Sequence, residues 1–235
     1  MGDQERRSRI LTAIGGPNTV VRPDEVALGI CHFAVEYLAA SGCAVTLMGR
    51  PPAVEVLAVA GRNADEVAEL QFTLGEGPCL DAFLAGSPTY AVDLVNRGGR
   101  WPMFSTQAAG LGVMAEFSLP LQVGSAPVGV LDLSREEPGM LSDDHLADAL
   151  TAADIVTDAV LMLQGASEGS ELAKLLDLAG QDRMVVHQAA GMVSAQLDVT
   201  VTDALATLRG AAFRSSRSIY EVAVDVVDRR MRFRD

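Results

Sequence analysis

Cysteine and histidine are scarce, with three of each in 235 residues. Cys31, Cys43 and Cys79 make an odd number with no Cys-x-x-Cys spacing, which suits a reducing cytoplasm rather than a disulfide framework. His32, His145 and His187 are scattered without ligand-spaced partners, so no metal site is expected. No run of about 18 apolar residues occurs, and no membrane span is expected. The start, Met1-Gly-Asp-Gln-Glu-Arg-Arg, lacks the apolar core of a signal peptide, and Arg6 spoils a myristoylation motif. The Gly75/Gly77 pair is too sparse for a phosphate loop and has no Lys-Ser/Thr after it. Position alone assembles no Ser/His/Asp or Cys/His arrangement. The expectation is a protein that is not an enzyme, with no cofactor implied by its residues.

Positive charge is also short: 18 basic residues stand against 31 acidic, a net of −13 with a pI near 4.6. That balance by itself argues against nucleic-acid binding. The deficit is unevenly spread, however. Residues 1–180 hold 10 basic and 24 acidic residues, whereas residues 181–235 hold 8 basic and 7 acidic. Such asymmetry hints at divided labour, although +1 is weak beside the basic footprint of a nucleic-acid domain. The plain alternative is that Arg229 to Arg234 decorate a solvated helix end.

The last fifty residues are the most patterned. Val186, Ala189, Val193 and Leu197 form one apolar stripe, Ala204, Leu208 and Ala211 a second, and Ile219, Val222, Ala223, Val226 and Val227 a third. Spacings of three and four put each set on one helix face. Thr200-Val-Thr-Asp203 and Ser218-Ile-Tyr-Glu221 have capping-box form and fit helix starts. Gly191 interrupts the first helix at a cost of roughly 1 kcal/mol, which suggests close packing of another helix there. So small a unit buries little surface, and is expected to lean on a neighbour or a second copy.

His187-Gln-Ala-Ala-Gly-Met-Val-Ser194, Ala204-Leu-Ala-Thr-Leu-Arg209 and Ser216-Arg-Ser-Ile-Tyr-Glu-Val-Ala223 resemble an ANTAR domain over nearly its whole length. The resemblance implies an all-α, three-helix RNA-binding module of bacterial transcription antiterminators. Two departures stand out. The family's Ala-Lys-Gly is Ala189-Ala190-Gly191 here, and Ser216 and Ser218 stand where the family has Asn and a basic residue. Under this resemblance the RNA-binding candidates are Gly191, Arg209, Arg214, Ser216 and Arg217. The departures also motivate an alternative, a signalling and dimerisation protein whose tail contacts protein instead of RNA.

Residues 1–164 alternate between helical and strand patterns. Pro23 to Ala40 reads as a helix; Cys43 to Met48 and Val54 to Ala60 read as a hairpin across Gly49-Arg-Pro-Pro52. A helical patch follows at Ala64 to Leu70, then a Gly75-Glu-Gly-Pro78 turn into Cys79 to Ala85. Thr89 to Leu94 is a strand candidate, and Trp101 to Ala109 a helix opened by Pro102. In Val113 to Val123, Phe117, Leu119, Leu121 and Val123 alternate with Glu116, Ser118, Pro120 and Gln122, the period of a half-buried strand. Pro120 implies an edge or a bulge. Val128 to Leu133 follows, and Ser142 caps a helix running to about Leu163. This order predicts an α+β fold around an antiparallel sheet.

Leu74-Gly-Glu-Gly-Pro-Cys-Leu-Asp-Ala82, Arg100-Trp-Pro-Met-Phe104, Leu119-Pro-Leu and Pro127-Val-Gly-Val-Leu-Asp-Leu133 are similar to a GAF domain, from about residue 20 to residue 164. More narrowly they look like the GAF domains that precede ANTAR modules. The resemblance implies a sensor and dimerisation module at residues 1–166 and the RNA-binding unit at 167–235, divided by Gln164-Gly-Ala-Ser-Glu-Gly-Ser170. It implies a cytoplasmic, homodimeric antitermination regulator without membrane contact, taking an unidentified small molecule in its sensor.

Several residues invite two readings. Cys79 at a helix start is a redox-sensor candidate or a small buried residue. The methionine sulfoxide reductases among GAF-like enzymes use several cysteines, and the spacing here does not match them. Glu76, Asp81 and Asp93 either line a pocket roof or satisfy turn amides. Trp101 and Phe104 form a ligand wall or a piece of core. The stripe Leu146, Ala149/Leu150, Ala153, Val156, Val160 and Leu163 serves as a dimer seam or packs on its own sheet.

Overall fold

A computed structural model describes residues 2–15, 22–48, 54–165, 185–186, 188–215 and 217–233. The Gly49–Pro52 turn, the 166–170 boundary, His187, Ser216 and Arg234 lie outside them.

The centre is one antiparallel sheet built from β1 (Gly42–Met48), β2 (Val54–Gly61), β3 (Thr89–Ala91), β4 (Ala115–Val123) and β5 (Ala126–Arg135), in the order β2-β1-β5-β4-β3. The expected hairpin pairs Met48 with Val54, and a second joins β4 to β5. Because side chains alternate across a strand, the sheet has two distinct faces. Cys43, Val45, Leu47, Phe117, Leu119, Leu121, Leu131 and Leu133 share one apolar core with α2 (Pro23–Tyr37) and α7 (Asp143–Gly165). Ala149, Ala153, Val156 and Val160 belong to that core, so the α7 stripe packs on its own domain. Leu150 and Met162 point outward. Ser142 caps the helix by accepting from His145 N at 3.2 Å.

The opposite face of the sheet is covered by α3 (Ala64–Leu74) and α4 (Pro78–Ala85), beside α5 (Leu94–Arg97) and α6 (Pro102–Gly110). Here β4 departs from expectation. Glu116 and Ser118 are not solvated; both are fully buried, since α4 packs over that face and β3 pairs alongside β4. Pro120 pairs with Val130 just before the bulge at Leu121/Gln122, beyond the reach of β3, which binds only Glu116, Phe117 and Ser118. A residue without an N–H is tolerated at such a place. The strand expected over Thr89 to Leu94 stops at Ala91, because Leu94 already opens α5.

The opening helix α1 (Asp3–Ala13) had no sequence-based expectation. It is fastened to α7 by the buried pair Arg6–Asp148, with Nε to Oδ1 at 2.6 Å, and by Ile10.

The C-terminal stripes assemble as expected. Residues 188–197 form α8, followed by α9 (Val201–Ser215) and α10 (Ile219–Val227). Val186, Ala189, Val193, Ala204, Leu208, Ala211, Ile219, Val222, Ala223 and Val226 make their core. Ser218 Oγ accepts from Glu221 N, and the Glu221 carboxylate accepts from Ser218 N, the reciprocal box at the start of α10. The neighbour this small unit needs is in part the first domain, since Phe72 of α3 packs against its core.

Candidate functional site

The Leu74-Gly-Glu-Gly-Pro-Cys79 segment organises the covered sheet face, each residue doing something separate. Gly75 ends α3 with φ +66, and Gly77 takes a positive φ of +149 that favours glycine, with the Gln71 side chain lying where its Cβ would be. That approach lets Gln71 Oε1 accept from Cys79 N at 2.8 Å, tying α3 to the first turn of α4. Pro78 starts α4, where a missing N–H costs nothing. Glu76 Oε1 accepts from Met103 N at 2.7 Å and Phe104 N at 2.9 Å, satisfying the start of α6. Asp81 accepts from Trp101 Nε1 at 2.9 Å and Arg100 Nε at 2.8 Å. Asp93 accepts from Asn96 N at 3.0 Å. The three acids therefore serve loops and helix starts. Trp101 and Phe104 are buried with Val67, Leu94 and Val113 as core.

Beneath this cover lies a polar cluster that includes Glu116 and Ser118, the polar side of the alternation in β4. Asp132 is buried and accepts from Ser118 Oγ at 2.5 Å, while its Oδ2 has no hydrogen bond. Glu116 is fully buried, and neither carboxylate oxygen makes a hydrogen bond of good geometry, although the Ser134 hydroxyl is close enough to favour its ionised form. Burial first, and Asp132 second, push the Glu116 carboxyl well above the usual range. Burial raises Asp132 to about 6, against the lowering effects of Ser118 and Cys79. Beside them Thr46 Oγ1 and Gln71 Nε2 are also buried without partners. A cavity of ≈ 10 Å³ lies against Thr46, Met48, Gln71, Phe72, Cys79 and Leu80, about the space one water needs. The alternation Glu116/Ser118 was the available signal, but period two does not tell water from a second packed layer.

Cys79 is 3 % exposed, and burial raises its thiol well above the ordinary value, with Asp132 adding to the shift. The helix N-terminus does not win here, so a reactive thiolate at neutral pH is not what this site holds. Cys31 and Cys43 are buried in the opposite core.

The C-terminal candidates are dispersed. Gly191 is exposed, and among the described residues a Cβ there would meet nothing within 4 Å; the helix's contacts run through Ala189, Ala190 and Val193 instead. Ala190, at the family's lysine position, is fully buried. Arg209 is half-buried, its guanidinium lying over Gly75 of the first domain. Burial lowers its guanidinium pKa, and its Nε is buried without a partner. Arg214 is exposed at the end of α9. Arg217 Nη2 is tied to Asp225 at 2.8 Å and to the Glu221 carbonyl at 3.1 Å; Arg230 binds the same Asp225 at 2.6 Å and Asp228 at 2.7 Å. These pairs hold the Asp225 carboxyl below its usual pKa, Arg230 contributing most. The basic end expected to face solvent is thus partly neutralised within the chain.

No helix among the described residues is long and apolar enough to cross a membrane. No curated protein matches the chain. The fold is similar to that of the GAF domain of a phosphoenolpyruvate-protein phosphotransferase from Coxiella burnetii, at 15 % identity and TM-score 0.56, covering 69 % of this chain and 94 % of that one. The corresponding domain from Acinetobacter aligns at 13 % identity and TM-score 0.53, covering 70 % and 97 %. A free methionine-R-sulfoxide reductase from Neisseria meningitidis, solved with its substrate, aligns at 16 % identity and TM-score 0.51, covering 70 % and 92 %. At these identities the likeness speaks for the fold alone. The family model described as GAF domain matches residues 21–160, more than half of the sequence, and the chain belongs to that family.

Proposed function

We propose that the protein is a signalling regulator in which the GAF domain takes a small molecule on its covered sheet face and controls the C-terminal helices, an ANTAR-like unit that binds hairpins in nascent RNA and so prevents a terminator from forming. The observation that carries this reading is that α3 belongs to both parts: Gln71 and Phe72 line the cavity, and Phe72 also packs on the helical core. Exposed groups suited to RNA cluster where α9 ends and α10 begins. Phe213 is 50 % exposed, Tyr220 37 %, and Arg214 projects beside them in sequence. Aromatic rings and guanidinium planes stack on unpaired bases. In this reading the regulator is cytoplasmic, acts as a homodimer and catalyses nothing. All three of its cysteines are buried, with Cys31 beside Cys43 and Cys79 on the other face of the sheet, and burial weighs against thiol chemistry.

Gel shifts of the full chain with paired-hairpin RNA at several salt concentrations test the output. Saturable binding is expected, weakened by Arg214→Ala with a salt slope smaller by about one. Binding that ignores both salt and Arg214 overturns the RNA assignment. The internal pairing of Arg217 and Arg230 favours a second reading, in which the tail contacts protein. Retained regulation in the absence of any RNA affinity would select it.

A further inference from the structure

We propose that α3 is a latch, holding the C-terminal unit against the sensor with Arg209 withdrawn from solvent until a ligand entering the cavity displaces it. The proposal rests on the sensor-to-output reading above.

The latch has two points. Phe72 inserts between the cavity and the helical core, touching both. One turn on, a Cβ built on Gly75 would stand 2.6 Å from Arg209 Cζ and 2.8 Å from its Nε. The guanidinium therefore rests on the glycine backbone, an approach that no residue with a side chain permits. Gly75 is also the C-cap of α3. The last carbonyls of a helix lack intrahelical partners, and the dipole there favours a cation. Among the described residues, no carboxylate is paired with the positive group drawn to that end.

The hold is incomplete. Arg209 Nε is buried with no acceptor, and leaving a charged group's donor unpaired inside a protein is unfavourable. A docked state with such a defect is easily released. The cavity under α3 has space for about one water, so anything larger enters only if α3 or α4 moves. Those helices are joined through Gln71 and Cys79 N. Movement of α3 carries Phe72 and Gly75 with it, and these are the two points on which the output rests. Gln71 Nε2 and Thr46 Oγ1, buried without partners on residues that line this space, supply the polar groups that a ligand would meet.

Two variants of the full chain test the latch. In Gly75→Asn, asparagine tolerates the left-handed backbone, and its side chain takes the place of the guanidinium, the far end of a flexible arm. Phe72→Ala removes the other point. Both are read by the solvent exchange of the Arg209 Nε–H in NMR and by affinity for paired-hairpin RNA at fixed salt. Faster exchange in both variants is expected, with RNA affinity raised by about 5- to 150-fold, the usual range of coupling between sites. Unchanged exchange in Gly75→Asn overturns the latch, as does weaker RNA binding in that variant. Faster exchange with no RNA bound by any form keeps the latch and overturns the RNA output. If Phe72→Ala fails to fold, Gly75→Asn, a surface change, decides alone.

Discussion

Replacing Asp132 by Asn should stabilise the protein at neutral pH, by an amount that vanishes in acid. In the folded chain burial raises this carboxyl from 3.8 to about 6, with Ser118 and Cys79 opposing. A raised folded pKa means that the unfolded chain gives up its proton first. Below about pH 4 both states are protonated and the group is neutral to stability. Between about pH 4 and 6 the unfolded chain ionises while the folded one keeps its proton, so stability falls as pH rises. Above the folded pKa the whole penalty is present, roughly 3 kcal/mol for a shift of this size.

Asparagine keeps an oxygen to accept from Ser118 and adds an amide, for which the unpartnered Glu116 oxygens are acceptors. Urea unfolding followed by circular dichroism across pH 4 to 8 is the assay. Asp132→Asn should gain about 2–3 kcal/mol at pH 7, or roughly 5–10 °C in Tm for a chain of this size. The gain should shrink to nothing near pH 4. Equal stability at pH 7, or a gain independent of pH, would show that the buried carboxylate is already compensated and would refute the reasoning.

Three further outcomes follow from other sites. Arg6→Ala should cost about 3–5 kcal/mol, because it leaves Asp148 buried beside Arg9 alone, and chemical denaturation measures it. Arg6→Met combined with Asp148→Leu should recover most of that loss, as apolar packing replaces the pair. The thiols of Cys31, Cys43 and Cys79 should react with a thiol reagent in the native protein only as fast as it opens, since all three are buried; stoichiometric labelling of Cys79 within seconds would contradict its environment. Ser218→Ala should cost about 1 kcal/mol through the lost cap on α10, read as a lower unfolding midpoint.

Elements with strong local signals were legible. The stripe-and-cap pattern of α9 and α10 reproduces their core almost residue for residue, because three-four spacing and a capping box are decided within a few positions. Pro120 was read correctly as an edge or bulge feature for an equally local reason. What failed to show were contacts made at long range. Arg6 and Asp148 are separated by 142 positions, and nothing near Arg6 announces a buried ion pair. Glu116 and Ser118 looked solvent-facing because alternation reports two faces, not what covers the second. At Gly191 a glycine inside a helix implied close packing, and none of the described residues comes within 4 Å of a Cβ there.

Arg209 shows how a family resemblance and a fold divide the same residue. As a basic side chain on the second helix of an RNA-binding unit, it reads as a phosphate contact. In place it lies on Gly75, in the very turn that shapes the sensor's covered face. The glycine that ends α3 is also the only kind of residue on which a guanidinium can rest so closely. One position therefore both ends α3 and carries the contact with Arg209 of the C-terminal helices. A change at Gly75 would alter its contact with Arg209 as well as the end of α3, so the two halves of this chain are not independently variable at that position.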